Sequence, residues 1–267
     1  MSGIEPSRFA EGRVFLALDG HRCDDMRVYL FASEDYGRHW APLGPGVDRG
    51  PVHEVREGRF NPDLLYAATE FDLFASLDRG ASWFSLRGDM PAVAVRDLAI
   101  QARERELVAA THGRGLYILD CAGLEACTRK AMAEPAALFQ PVRAVQWASY
   151  PSRARFGASW FRSPNPPSGT GIHFWLAEEP PEAPLVTVLD PAGQALRSLQ
   201  GAKAAGLQSV FWDLRREGQM ESRRTRQGRP GPPVEPGTYG IRLEAGGQRF
   251  FATVAVVQDP VRAGKGR

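Results

Sequence analysis

Leu30-Phe31-Ala32-Ser33-Glu34-Asp35-Tyr36-Gly37-Arg38-His39-Trp40 returns 43 positions on as Leu73-Phe74-Ala75-Ser76-Leu77-Asp78-Arg79-Gly80-Ala81-Ser82-Trp83. Every matched residue keeps one offset, which marks an internal repeat. Val52-x-Glu54-Val55 maps onto Val95-x-Asp97-Leu98 at the same offset, and Ala67-Ala68-Thr69 onto Ala109-Ala110-Thr111 at 42. The unit therefore occurs about three times, the last copy without the Ser-x-Asp turn. Each copy holds short apolar or alternating runs, at 14–18, 27–32, 64–69, 73–76, 107–111 and 116–119, separated by Gly, Asp and Asn. These read as strands and hairpins. A period of about 40 to 45 residues with some four strands per period is the pattern of a β-propeller blade.

The repeated corner has a mechanical explanation. Ser33 and Asp35, or Ser76 and Asp78, bond amides of their own turn; Gly37 and Gly80 supply a left-handed position; Trp40 and Trp83 fold back beside the hairpin. These eight residues are read as structural turns and not as catalysts, because one active site needs one constellation rather than a copy per blade.

Composition agrees with a chain of many strands. Of 267 residues 43% are hydrophobic and 24% charged, enough apolar material for a substantial core. Gly (28) and Pro (21) are too frequent for long helices. No apolar run approaches the ~20 residues of a spanning helix, and a net charge of +2 gives no overall field to gather nucleic acid. Neither a membrane span nor a nucleic-acid partner is expected. The start, MSGIEPSRFAEGRVF, lacks the charged and apolar regions of a signal peptide. Three cysteines make neither a disulfide framework nor a zinc set, and no metal or cofactor is expected. Cys121 and Cys127, six apart, admit a disulfide, though two buried thiols is the favoured reading.

SEDYGRHW and SLDRGASW resemble the Asp-box, or BNR repeat, of sialidases and sortilin-type propellers. The run from DGHRCDD at Asp19 through NPDLLYAATEF and VRDLAI to THGRGLYILD at Thr111 is similar to the closing blades of large bacterial sortilin-like, BNR-repeat proteins, often labelled glycosyl hydrolase. The likeness covers roughly residues 8–120. It implies a propeller and, for full-length relatives, a periplasmic or extracellular setting. It brings no catalytic residue with it, since in that family the Asp-box is remote from active sites.

Residues 121–140 read as a connector with one short helix at about 124–132. Residues 141–260 read as a β-sandwich, with strands at 171–177, 185–189, 209–214, 237–244 and 249–257, and 261–267 as a disordered tail. PAGQALRSL, GLQSVFWDLR and PVEPGTYGIRLEAGGQRFFATVAV resemble the immunoglobulin-like module of flagellar hook-capping type, which places Trp212 in the core. The expected fold is all-β: a partial propeller of about three blades with Asp-box turns, followed by an immunoglobulin-like sandwich.

Three constellations remain. The loop holding His21, Asp24 and Asp25 gathers carboxylates and an imidazole, which suits a ligand contact but matches no metal spacing. Thr111-His112-Gly113-Arg114-Gly115 is a hairpin turn whose His112 and Arg114 suit an anion. Arg223, Arg224 and Arg226 lie in a Gly- and Pro-flanked run without aromatics for base stacking, so it reads as an inserted loop. No nucleophile elbow or zinc-protease motif is present.

Three blades leave a ring open, because closed propellers use about 4 to 8. The expected partners are therefore missing blades from another chain or a second copy, beside a protein, peptide or glycan ligand. The leading functional expectation is a non-catalytic binding or scaffolding module. The alternative is a fragment of a propeller-type glycoside hydrolase, sialidase- or glucanase-like, with its carboxylates partly in missing blades.

Overall fold

The computed structural model describes residues 2–48, 50–147, 169–218 and 231–260. Arg223, Arg224 and Arg226, the tail 261–267 and the Pro-rich stretch with Trp160 lie outside the described residues. The chain divides into two compact units, Met1–Pro135 and Ala136–Arg267. Both are built from β-sheet.

Three consecutive antiparallel meanders make the first unit. Blade 1 is β1 (Gly3–Pro6), β2 (Val14–Gly20), β3 (Asp25–Ser33) and β4 (Ala41–Leu43), and its strands pair in chain order. Blade 2 repeats the plan with β5 (Val52–Glu57), β6 (Leu65–Thr69), β7 (Leu73–Ser76) and β8 (Phe84–Ser85). Blade 3 has β9 (Val95–Gln101), β10 (Glu106–Thr111) and β11 (Leu116–Asp120), without a fourth strand. Two cores glue the blades face to face. Phe15, Ala17 and Leu30 of blade 1 meet Val52, Val55, Leu65, Ala67, Phe74 and Trp83 of blade 2. On the opposite side of blade 2, Leu64, Tyr66, Ala68, Leu73 and Ala75 meet Val95, Leu98, Leu107 and Ala109 of blade 3. Blade 2 is thus covered on both faces, which is why β6 and β7 are buried at every position and read as continuous apolar runs rather than alternating ones. In β11, which has a neighbour on one side, exposure alternates residue by residue.

The Asp-box corners sit between the third and fourth strands of blades 1 and 2. Tyr36 and Gly37, like Arg79 and Gly80, are two successive left-handed residues, the second a glycine both times. The Ser33 hydroxyl donates to Asp35 Oδ1 (2.8 Å) and accepts the Gly37 amide (2.9 Å); Ser76 does the same with Asp78 (2.7 Å) and Gly80 (2.7 Å). Asp35 accepts the His39 amide and Asp78 the Ser82 amide, at 2.9 and 2.8 Å. Trp83 donates its indole N–H to the Gly80 carbonyl, and the Trp40 ring lies over Gly37.

After β11 come α1 (Ala122–Ala126) and α2 (Arg129–Met132), two short helices where the sequence reads as one at 124–132. Thr128 separates them: it is extended and its hydroxyl accepts the Ala131 amide, so it starts a new helix instead of continuing the old one. Cys121 and Cys127 are buried free thiols, pushed up to about 12 and about 11 by that burial.

The second unit is a sandwich. One sheet is β12 (Ala136–Leu138), β14 (Thr170–Leu176) and β17 (Gly206–Trp212); the other runs β13 (Ala144–Gln146), β19 (Gln248–Gln258), β18 (Gly237–Ala245), β15 (Leu185–Leu189) and β16 (Ala195–Gln200). Inward residues alternate along β14 and β18, and Trp212 is fully buried. Trp212 meets the Tyr239 ring edge-on at 5.4 Å, and the Tyr239 hydroxyl donates to the Glu235 carbonyl four residues upstream. That bond is the tyrosine-corner arrangement of immunoglobulin-like sandwiches. The strand read at 209–214 instead spans Gly206–Trp212, because Leu214 is left-handed and ends it.

Candidate functional site

Strand direction divides the first unit into two ends. The Asp-box corners lie where β2, β6 and β10 begin. At the other end lie the loop joining β2 to β3, the turns joining β6 to β7 and β10 to β11, and the first residues of β5 and β9. Every ligand candidate named from the sequence falls there: His21, Asp24, Asp25, His112 and Arg114.

The structure gives these candidates different roles. His21 lies in a 3-10 turn, His21–Cys23, with its Nδ1 2.7 Å from the Asp19 carboxylate. Asp24 is left-handed and closes that turn, its amide donating to the His21 carbonyl. Asp25 turns away from the others: the Arg27 guanidinium and the Tyr29 hydroxyl, at 2.6 and 2.8 Å, hold its carboxyl far below the usual range. Asp24 and Asp25 thus face different partners. His112 and Arg114 are exposed at the tip of the β10–β11 turn, whose backbone is closed by the Thr111 amide on the Gly115 carbonyl.

The centre of this end is a network of which the sequence reading touched only Asp19, the first residue of the His21 loop. His53, at 5% exposure, sits at the start of β5 between two carboxylates: Nδ1 is 3.1 Å from Asp19 on blade 1, and Nε2 is 2.8 Å from Glu70 in the β6–β7 turn. Arg96, at the start of β9, reaches over from blade 3, 3.1 Å from the His53 ring and 3.2 Å from Glu70. Burial alone raises the Asp19 pKa, but bonds from the His21 amide and ring and the charge of His53 outweigh it and hold the carboxyl low. One network thus ties together all three blades. A signal for it existed in the sequence: His53 and Arg96 are repeat mates, and theirs is the position between a fixed Val and a fixed acid that changes from one polar residue to another.

Below this network the innermost strands carry a second group. Arg56 Nη1 lies 2.8 Å from Glu54 and 3.5 Å from Glu5 of β1, and its Nη2 lies 3.6 Å from Asp97 of β9. Burial raises the pKa of both Glu5 and Glu54, and the Arg56 charge only partly offsets it. Among the described residues no group of three or more His, Cys, Asp or Glu is placed to hold a metal ion, and no helix is long and apolar enough to cross a membrane.

These features define the class of protein: an all-β chain in which a partial propeller precedes a sandwich. No family model matches it, and no curated protein sequence is significantly similar to it. Among solved structures it is similar to an ancestral GH74 enzyme, with 11% identity and a TM-score of 0.36 over 93% of this chain and 35% of that one. It is also similar to the extracellular domain of a hybrid two-component system protein from B. thetaiotaomicron (8%, TM-score 0.31, 98% of this chain and 37% of that one). A third is trypsin-activated alpha-2-macroglobulin from Escherichia coli (13%, TM-score 0.26, 91% and 15%). The chain spans little more than a third of the first two.

Proposed function

We propose that the chain is a non-catalytic binding or scaffolding module, part of a sortilin-like Asp-box propeller. Its ligand face is the end of the blades opposite the Asp-box corners, and its ligand is a protein, peptide or glycan. The observation that supports this is the Asp19–His53–Glu70–Arg96 network. It spends its acids and bases on one another across three blades, and so builds a rigid polar floor, around which His21, His112 and Arg114 stand exposed. Groups locked together in this way position a surface rather than supply a free nucleophile.

The test is to probe a glycan array and a peptide array with the full chain. A double change of His112→Ala and Arg114→Ala is expected to weaken the best hit about tenfold or more, the loss of one or two charge-assisted bonds. Arg103→Ala, at the Asp-box end, is expected to leave it unchanged. Equal loss from both variants, or from neither, overturns the assignment of this face.

A second reading rests on Glu5 and Glu54. They lie on adjacent innermost strands and share the Arg56 guanidinium, and glycoside hydrolysis uses a carboxyl pair of which one is protonated and the other ionised. Turnover of chromogenic glycosides that disappears in both Glu5→Gln and Glu54→Gln would make the chain a hydrolase; turnover that survives them would exclude this pair.

A further inference from the structure

The repeat makes it possible to ask of each exposed blade face what covers its equivalent elsewhere in the same molecule. On blade 2, Phe74 and Trp83 are buried, Trp83 to 9% exposure, because blade 1 lies over them; Leu43 of β4 rests against Gly80 of that corner. Their mates on blade 1, 43 positions earlier, are Phe31 and Trp40. Phe31 is only half-buried and Trp40 is 38% exposed. Leu16 pairs with Phe31 across the strands and continues the same open face, with Ile4 beside it.

Blade 3 shows the converse. Tyr66, Ala68, Leu73 and Ala75 of blade 2 are fully buried under blade 3. In β10 and β11 the ladder puts Val108, Ala110, Leu116 and Ile118 in those places: Ala110 pairs with Leu116 as Ala68 pairs with Leu73. Leu116 is 69% and Ile118 65% exposed, on a strand whose next residues in alternation are packed against blade 2. The molecule therefore carries both halves of a blade-to-blade contact that it already makes twice within itself. One half is unfilled on blade 1 and the other on blade 3.

We propose that the occupant is a second copy of this chain, seated head to tail: blade 3 of each copy covers Phe31 and Trp40 of the other. Two copies of the three described sheets supply six, a number inside the range of about 4 to 8 blades that closed propellers use. A head-to-tail contact that closes after two members stops at a dimer instead of growing into a filament. The two faces are apolar and meet through the packing that joins blades 1 and 2, so no new kind of interface is required. This inference is independent of the ligand face, which lies at the ends of the strands and not on the sheet faces.

Light scattering on the full chain after size exclusion is expected to report twice the 29.3 kDa of the sequence. Ile118→Glu and Ile4→Glu each place a charge in one half of the contact and are each expected to weaken the dimer about 100-fold or more. Both positions are exposed within one copy, so the far-UV circular dichroism of the variants should match that of the parent. The two variants mixed in equal amounts are expected to pair again, since one contact in such a pair unites two intact faces. A monomeric parent overturns the proposal. So does a dimer indifferent to either substitution, or a mixture that stays monomeric, because only a contact between unlike faces is rescued by mixing.

Discussion

Individual residues in the two Asp-box corners behave alike in hydrogen bonding and differently in burial. Ser33 and Ser76 bond their aspartates and glycines within 0.2 Å of each other, while Trp40 and Trp83 differ in exposure because of what lies beyond the corner. The His39 amide and ring and the Ser33 hydroxyl hold the Asp35 carboxyl at about 2, so this corner stays ionised and closed in mildly acidic solution. Glu5 has the opposite sign. Burial raises its folded pKa above the unfolded value, so its contribution favours folding in acid and is lost as pH rises through the interval between the two. A Glu5→Gln chain is accordingly expected to gain stability relative to the parent between pH 4 and pH 7, measured by urea midpoints. An unchanged difference across that range would show that Arg56 neutralises Glu5 fully.

Among the elements, α1 shows how a short helix is used as a strap. Glu125 is buried and its two carboxylate oxygens accept the amides of Arg59 and Phe60, each at 2.8 Å, in the turn between β5 and β6. Asn61 in that turn donates back to the carbonyls of Leu124 and Cys127. The helix therefore closes the Asp-box end of blade 2, where chain reversal leaves amides without strand partners. Glu125→Ala is expected to cost about 1 to 3 kcal/mol, the penalty for amides left unbonded, and Glu125→Gln about half of that, read from chemical denaturation. The apolar runs of β6, β7 and β11 were legible in the sequence, but the alternating exposure of β11 was not, since Leu116 to Leu119 are all apolar. The break at Thr128 was not, because helix propensity is nearly flat over 124–132 and the capping bond of one hydroxyl decides the matter.

In the whole molecule the two units have separate cores. That of the sandwich, from Ala144 through Trp212 to Val256, is drawn from residues after 135 alone. Residues 136–267 expressed alone are therefore expected to unfold in one cooperative transition, with a shift in tryptophan emission at the midpoint; a broad, non-cooperative change would mean that the sandwich needs the blades. The all-β class, the three-fold repeat and the Asp-box turns follow from local features: period, alternation, and a few residue types that fix a backbone angle. The repeat relates His53 to Arg96, but the convergence of these two with Asp19 and Glu70, and the contrast between a covered Trp83 and an uncovered Trp40, follow from no such feature. They arise when sheets stack side by side, bringing residues 17 to 43 positions apart within hydrogen-bonding distance. Strand periodicity says which face a side chain takes, and only the packing of the next sheet says what that face meets.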